Sequence, residues 1–184
     1  MSTAYKTRLD VQTILRTVIL DGLTQLGQTG WGCMEFANAS FQKADKIILL
    51  NLISTSRLGW QGGDYAMVTI DEDEKVRRKE ELIELQSWQV HTILKRDSTT
   101  NDNSILAEDI ASMLISWFNG PGAQALRSNG VATERVDAEN LIVYNDNSDL
   151  YQKRAVFTVK LQVPKELTIV QNVVDILHPD TMPV

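Results

Sequence analysis

Arg154-Ala-Val-Phe-Thr-Val-Lys-Leu-Gln-Val163 is the stretch that decides the fold. Ala155, Phe157, Val159, Leu161 and Val163 set an apolar residue at every second position. Arg154, Thr158, Lys160 and Gln162 are polar between them, with Val156 the one exception. A period of two over that length predicts a strand, Tyr151–Val163, with one dry and one wet face. Upstream, Trp88-Gln-Val-His-Thr-Ile-Leu-Lys-Arg96 also alternates, within a predicted long strand Leu82–Arg96. Between the two strands Leu106, Ile110, Met113, Leu114 and Trp117 recur at helical spacing. Asn103 or Ser104 is the expected N-cap of that helix, and Glu108 and Asp109 suit its positive dipole end. Gly120-Pro121-Gly122 stops it, and a short helical turn at Ala123–Ser128 closes at Gly130. Strands are predicted at Val131–Val136 and Glu139–Asn145, before the polar turn Asp146–Asp149.

Toward the N-terminus, Val11, Ile14, Leu15, Val18 and Ile19 form one stripe of a helix over Arg8–Leu26, ended by Gly27 and Gly30. Residues 27–45 read as irregular, with Trp31, Phe36 and Phe41 as anchors. Lys46–Ile53 is almost wholly apolar and predicts a strand covered on both faces. A glycine-rich loop Ser54–Asp64, a strand Tyr65–Ile70 and a charge-dense connection Asp71–Glu81 complete an antiparallel meander. Beyond Pro164, Leu167–Leu177 is rich in β-branched residues, and two readings stand open: a final strand or short helix on its own core, or a tail across a neighbouring subunit. The expected class is α+β: a mostly antiparallel twisted sheet, two main helices on one face, and a long β-hairpin or meander extension. Residues 1–184 are expected to form a single domain, with 164–184 an interaction tail.

The chain has 184 residues, enough for one well-buried core. Its longest apolar run, Ile47–Leu50, is far below the ~20 residues of a membrane span. Met1–Asp10 lacks an apolar core, which predicts no secretory leader. Cys33 is the single cysteine, so no internal disulfide forms, and folding in a reducing cytoplasm fits. The net charge of −6 repels nucleic-acid phosphates. The one dense basic run, Lys75-Val-Arg-Arg-Lys79, is flanked by Asp71–Glu74 and by Glu80 and Glu81.

No motif carries chemistry. His91 and His178 stand far apart with no cysteine or second histidine beside either, and His91 in mid-strand reads as an interior side chain. Asp71-Glu-Asp-Glu74 lacks the glycine and the terminal glutamate of a calcium loop. Gly27–Gly32 and Gly59–Gly63 lack the Lys-Ser/Thr of a P-loop and read as turns. Trp60 reads either as a protein-contact anchor at a loop tip or as a ring folded back on its own domain. Cys33 has no partner signature for nucleophilic catalysis. The expectation is a protein without catalytic, cofactor-binding or metal-binding residues, and not an enzyme.

The order of elements resembles the tail terminator, or neck terminator, family of tailed bacteriophages. The resemblance lies in Trp88-Gln-Val-His-Thr-Ile-Leu entering the polar loop Asp97–Asn103, in Ser104–Asn119 with its Ala-Glu-Asp-Ile-Ala register, in the Gly130-Val turn, and in Ser148-Asp-Leu-Tyr-Gln-Lys-Arg154 leading into the alternating strand. It covers residues 82–163 and extends to helix 1. The loop Ser54–Asp64, the turn Asp71–Glu81 and the tail after Pro164 have no counterpart in it. The resemblance implies a non-enzymatic virion protein, assembled in the host cytoplasm. Such a protein forms a hexameric ring on the finished tail tube, ends its polymerisation and presents a docking surface to head or neck proteins, while DNA passes through. Tube, sheath and neck proteins are the implied partners, with no membrane. Another head–tail connector or tail component, a head-completion or tube protein, is the alternative, and a small-molecule-binding domain or enzyme ranks behind it. Unpaired sheet edges and an apolar tail offer a physical route to the ring. Arg57, Leu58, Trp60, Arg77, Arg78, Val173, Ile176 and Leu177 are the expected protein-contact residues.

Overall fold

The computed structural model describes residues 6–35, 46–58, 65–70, 75–95, 106–137, 142–145 and 152–172. Helix α1 spans Arg8–Gln25. Thr7 caps it: its hydroxyl accepts from the Asp10 amide at 3.2 Å, and the Asp10 carboxylate accepts from the Thr7 amide at 2.7 Å. Gly27 and Gly30, both at positive φ, turn the chain out of the helix as expected. Val11, Leu15, Val18, Ile19 and Leu23 form its buried face.

The segment expected to be irregular contains a strand, β1 (Gly32–Glu35), which pairs parallel with Ile47–Leu50 of β2 (Lys46–Leu58). Four residues without alternation carry no period to read, and only the pairing with β2 reveals them as a strand. Over Ile47–Leu50 β2 is covered on both faces, as predicted, whereas residues 53–57 are exposed. Ile48 and Leu50 join the main core, whereas Ile47 and Leu49 pack with Ile93 and Met34 on the opposite side. The strand also runs further than Ile53. Ile53 is the extra residue of a bulge between Leu52↔Trp88 and Ser54↔Ser87, after which Ser54–Leu58 stays paired. The start of the expected loop is therefore strand.

β3 (Tyr65–Ile70) lies where the sequence put it. β4 begins at Lys75 and runs to Lys95, so most of the expected charged connection is strand. β3 pairs along one side of Val76–Glu80, and ladder hydrogen bonds on both sides hold residues whose charges locally suggest a turn. β7 spans Gln152–Asn172 and passes straight through Pro164. Among the described strands, none pairs with the outer side of β7 beyond Gln162, and a residue without an N–H is tolerated at such an edge. Residues 164–172 of the expected tail are strand, continuous with the strand before them, and the remainder lies outside the described residues.

The described strands form one seven-stranded sheet, ordered β1-β2-β4-β7-β5. β3 adds to β4, and β6 (Ile142–Asn145) adds to β7. β5 is only Ala132–Thr133, shorter than predicted. The Asn119 side chain replaces a ladder partner at Val136, donating to its carbonyl and accepting from its amide, both at 2.8 Å. All pairs but β1–β2 are antiparallel.

The helices lie on one face of the sheet, giving the α+β class expected. α2 (Ala107–Phe118) packs on β4 and β7. Its N-cap is Leu106, not Asn103 or Ser104, which lie outside the described residues. The Asp109 carboxylate accepts from the Leu106 amide at 2.8 Å and does the capping from inside the helix. Every odd residue from Ala155 to Val163 is buried against the helices. Val156, the exception in the pattern, is buried on the other face opposite His91. Thr92 places a hydroxyl in the core, where it donates toward the carbonyls of Ala107 at 2.9 Å and Ala155 at 3.2 Å.

Trp117 locks the helical layer. Its indole N–H donates to the Val18 carbonyl of α1 at 3.1 Å. Two glycines make room for the ring: Gly22 of α1 and Gly122 of α3 (Pro121–Ser128). A Cβ at Gly22 would stand 2.6 Å from the indole nitrogen. One at Gly122 would stand 2.5 Å from the ring and 2.9 Å from the Trp117 carbonyl.

This packing makes Gly122→Ala costly: stability is expected to fall by about 1–3 kcal/mol, seen as a lower urea midpoint at unchanged slope. Gly22→Ala is expected to cost less, because its Cβ meets only the Trp117 side chain and not backbone, and mid-helix alanine recovers ~1 kcal/mol of propensity. A second prediction concerns His91, 4% exposed, whose Nδ1 accepts from Arg154 Nε at 2.9 Å. Burial, and then the Arg154 charge, push the imidazole down from 6.5 to about 4. The unfolded chain thus binds this proton first. Stability is full above pH 6.5 and is lost as pH falls toward 4, by about 3 kcal/mol in all. A His91→Gln variant should flatten the denaturation midpoint across that window.

Candidate interaction surface

β7 occupies one side of β4 along its whole length, from Lys75↔Asn172 to Lys95↔Gln152. β2 and β3 must therefore share the other side. They follow one another along it, β2 against Ile83–Leu94 and β3 against Val76–Glu80. The result is a long ribbon. Each 21-residue strand spans ~70 Å, whereas the 12-residue α2 spans only ~18 Å.

The core ends partway along this ribbon, in a chain of polar contacts. Trp88, fully buried, donates its indole N–H to Gln86 Oε1 at 2.9 Å. Gln86 Nε2 donates to Glu84 Oε1 at 2.7 Å, and Lys165 Nζ meets Glu84 Oε2 at 2.7 Å. Residues 84, 86 and 88 share the helix-side face, so side chains on that face grade from apolar through amide to ionic. Burial alone would push the Glu84 carboxyl up. Hydrogen bonds from Lys165 and Gln86, with the charges of Lys165 and Arg57, outweigh it and hold the group below its ordinary value of 4.5.

The expected contact residues fall into two places. Arg57, exposed, lies opposite Glu84, and Leu58 pairs with Ile83 at the ribbon's base. Arg77 and Arg78 lie in the distal ladder, opposite Thr69 and Val68 on one side and Val170 and Ile169 on the other. About 20 Å of strand separates the two groups. Asn172, the last described residue of β7, pairs with Lys75, at the same end of the ribbon as the two arginines. Trp60, Val173, Ile176 and Leu177 lie outside the described residues.

Sequence reasoning missed the Glu84–Gln86–Trp88 chain, although its parity with Val90 was a readable signal. It also missed a groove of about 220 Å³ formed by Ile83, Val131, Ala132, Pro164, Gln162 and Arg127. Ile83 is 43% exposed there, on the sheet face away from the helices. Among the described residues, no group of three or more His, Cys, Asp or Glu side chains is placed to hold a metal ion. Cys33 is buried, which pushes its thiol up to about 12. No described helix is long and apolar enough to cross a membrane.

Glu84→Gln is expected to cost about 1–3 kcal/mol at pH 7. Because the folded carboxyl titrates below 4.5, its contribution is present above that pH and is lost as pH falls through the lower folded value. The gap between wild type and variant in chemical denaturation should therefore close in acid.

A protein-family model described as E217 gateway protein gp29 matches residues 10–172. The match starts in the first turn of α1 and stops at the last residue of β7. It includes the segments Ser54–Asp64 and Asp71–Glu81, for which the terminator resemblance has no counterpart. No curated protein matches the chain. With helical layer, sheet and ribbon all inside the match, the chain belongs to the E217 gateway protein gp29 family, a phage head–tail gateway family.

Proposed function

We propose that the protein is a structural ring subunit at the phage head–tail junction, acting as a tail terminator. Six copies seat on the tail tube, end its growth and offer a docking surface to neck or head proteins. DNA passes through the ring. The protein is not an enzyme in this reading. The observation that carries the proposal is the gateway-family match over residues 10–172. The charge supports it: six copies carry six times −6, or −36, and an acidic wall lets DNA slide without adhering. The contact residues proposed are Arg57 and Leu58 at the ribbon's base, Arg77 and Arg78 in its distal ladder, and Trp60, Val173, Ile176 and Leu177.

The family's description as a gateway also favours a second reading, a connector that joins head to tail without limiting tube length. One experiment separates the two. Phage lacking this gene, viewed by electron microscopy, should accumulate free heads beside tails of irregular and excessive length if the protein terminates the tube. Headless tails of normal length would instead indicate the connector. Intact, infectious particles without the protein would end both readings.

A further inference from the structure

The distal ribbon inverts the usual arrangement of a sheet. Six of the seven residues Lys75–Glu81 in its central strand β4 are charged. Its two outer strands carry no charge where they flank Lys75–Glu80, with Tyr-Ala-Met-Val-Thr-Ile in β3 and Leu-Thr-Ile-Val-Gln-Asn over Leu167–Asn172 of β7, while Glu166 stands opposite Glu81. Natural proteins protect open edges with lysine, proline or bulges, because an unpaired row of N–H and C=O groups recruits another strand. Here β3 has one bulge, between Tyr65 and Met67, and the β-branched Val68, Thr69, Ile70, Thr168, Ile169 and Val170 occupy the rest of the two edges. The charges sit between the edges, or just outside them at Asp64, Asp71, Lys165 and Glu166. Among the described residues, neither outer side has a strand partner.

We propose that β3 of one copy pairs with the distal part of β7 of the next copy, joining the ribbons of neighbouring subunits into one continuous sheet. This rests on the ring reading above and specifies its seam. The edges lie on opposite sides of the same ribbon and match in length, six residues in β3 against Leu167–Asn172. Each contact with a second copy therefore pairs one edge of each kind, and it leaves the same pair of edges at the two ends of any open chain. Only closure satisfies all of them. That is a heterologous contact, which forms a ring when the rotation closes. Both strands run antiparallel to β4, hence parallel to each other, and a ring axis close to the strand direction keeps that sense. The seam is a parallel pair. A two-fold dimer would instead bring β3 antiparallel to β3.

Cysteine cross-linking tests the seam. Thr69 and Val170 both lie opposite Arg77. Within one chain they are two strand spacings apart, ~10 Å, beyond the ~7 Å that a disulfide can bridge. Any disulfide between them is intermolecular. Buried Cys33 supplies a quiet background. A Thr69→Cys/Val170→Cys protein is incorporated into particles and oxidised. Thr69→Cys is also combined with Thr168→Cys and with Ile169→Cys, to allow for stagger. A ladder of covalent multimers from at least one pair is expected, with each single-cysteine variant remaining monomeric on a denaturing gel.

Dimers from the Thr69→Cys single variant would overturn the proposal in favour of a two-fold contact. A cross-link only to a different virion protein would overturn it too. Rings visible in the particles with no cross-link from any pair would sink the seam and leave the ring standing. Absence of rings would sink the reading beneath it. Amide hydrogen exchange on the wild-type protein guards against variants that fail to assemble. Amides within 65–70 and 167–172 should exchange about tenfold or more slowly in the assembled state than in free subunits, and unchanged rates would overturn the proposal.

Discussion

The uninterrupted β4–β7 ladder is the constraint on which the rest of the structure depends. It holds register from Lys75↔Asn172 to Lys95↔Gln152 without a bulge. In a strand a slip of one residue moves every side chain to the opposite face. Here such a slip would turn Phe157, Val159, Leu161 and Val163 away from α1 and α2 and would bring Lys160 and Gln162 under them. The proximal half of the ladder is thus fixed by burial. The distal half has no comparable apolar pattern, and it inherits its register from the proximal half through continuous backbone pairing. Bulges are confined to the outer partners, at Leu52/Ser54 of β2 and Tyr65/Met67 of β3, where curvature is absorbed without disturbing the central pair.

What was legible in the sequence was what local pattern determines. The stripe Val11–Leu15–Val18–Ile19, the break at Gly120–Gly122, the strand Tyr65–Ile70 and the dry face of Ala155–Val163 each follow from period or punctuation that a few residues carry. What stayed hidden was decided by pairing at a distance. Lys75–Glu81 looks like a solvated turn until β3 and β7 are seen to flank it. Pro164 looks like a stop until the absence of a described outer neighbour makes its missing N–H harmless. Gly32–Glu35 has no strand signal of its own and depends on β2. Asn119 looks like a helix-end residue, and nothing local announces that its amide completes the backbone bonding of Val136. The contact residues suffered the same limit. Arg77 and Arg78 read locally as members of a charged connection, and they belong to a ribbon whose geometry only the topology supplies.

The polar chain from Trp88 to Lys165 shows how the fold moves from core to extension without an abrupt boundary. A tryptophan buried without a partner for its N–H would carry a desolvation cost of about 1–3 kcal/mol. Gln86 removes that cost and passes the demand outward, and Glu84 takes it up with a carboxylate. Lys165 then supplies a countercharge from β7, and Arg57 adds a second from β2. One carboxylate thereby ties together all three strands that meet at the root of the ribbon. Its lowered pKa is a consequence of that position, since charge and hydrogen bonds there exceed the burial that opposes them. No proton-transfer role is needed to explain it.

A cap on a growing tube has to satisfy two demands that pull against each other: strong lateral association and no further axial addition. Edge strands meet both only when they are used up by the lateral contact. An open edge pointing along the tube axis would template more subunits, whereas edges closed around a ring leave nothing unpaired. The distribution of charge in the distal ribbon fits this division. Uncharged β-branched edges favour joining side by side, and the charged central strand makes the ribbon a poor partner for stacking through its faces, because desolvating Lys75, Arg77, Arg78 or Lys79 without matched partners would cost several kcal/mol per ion. In the proposed ring, the backbone hydrogen bonding of the outer strands gains most because both sides of each strand are then paired.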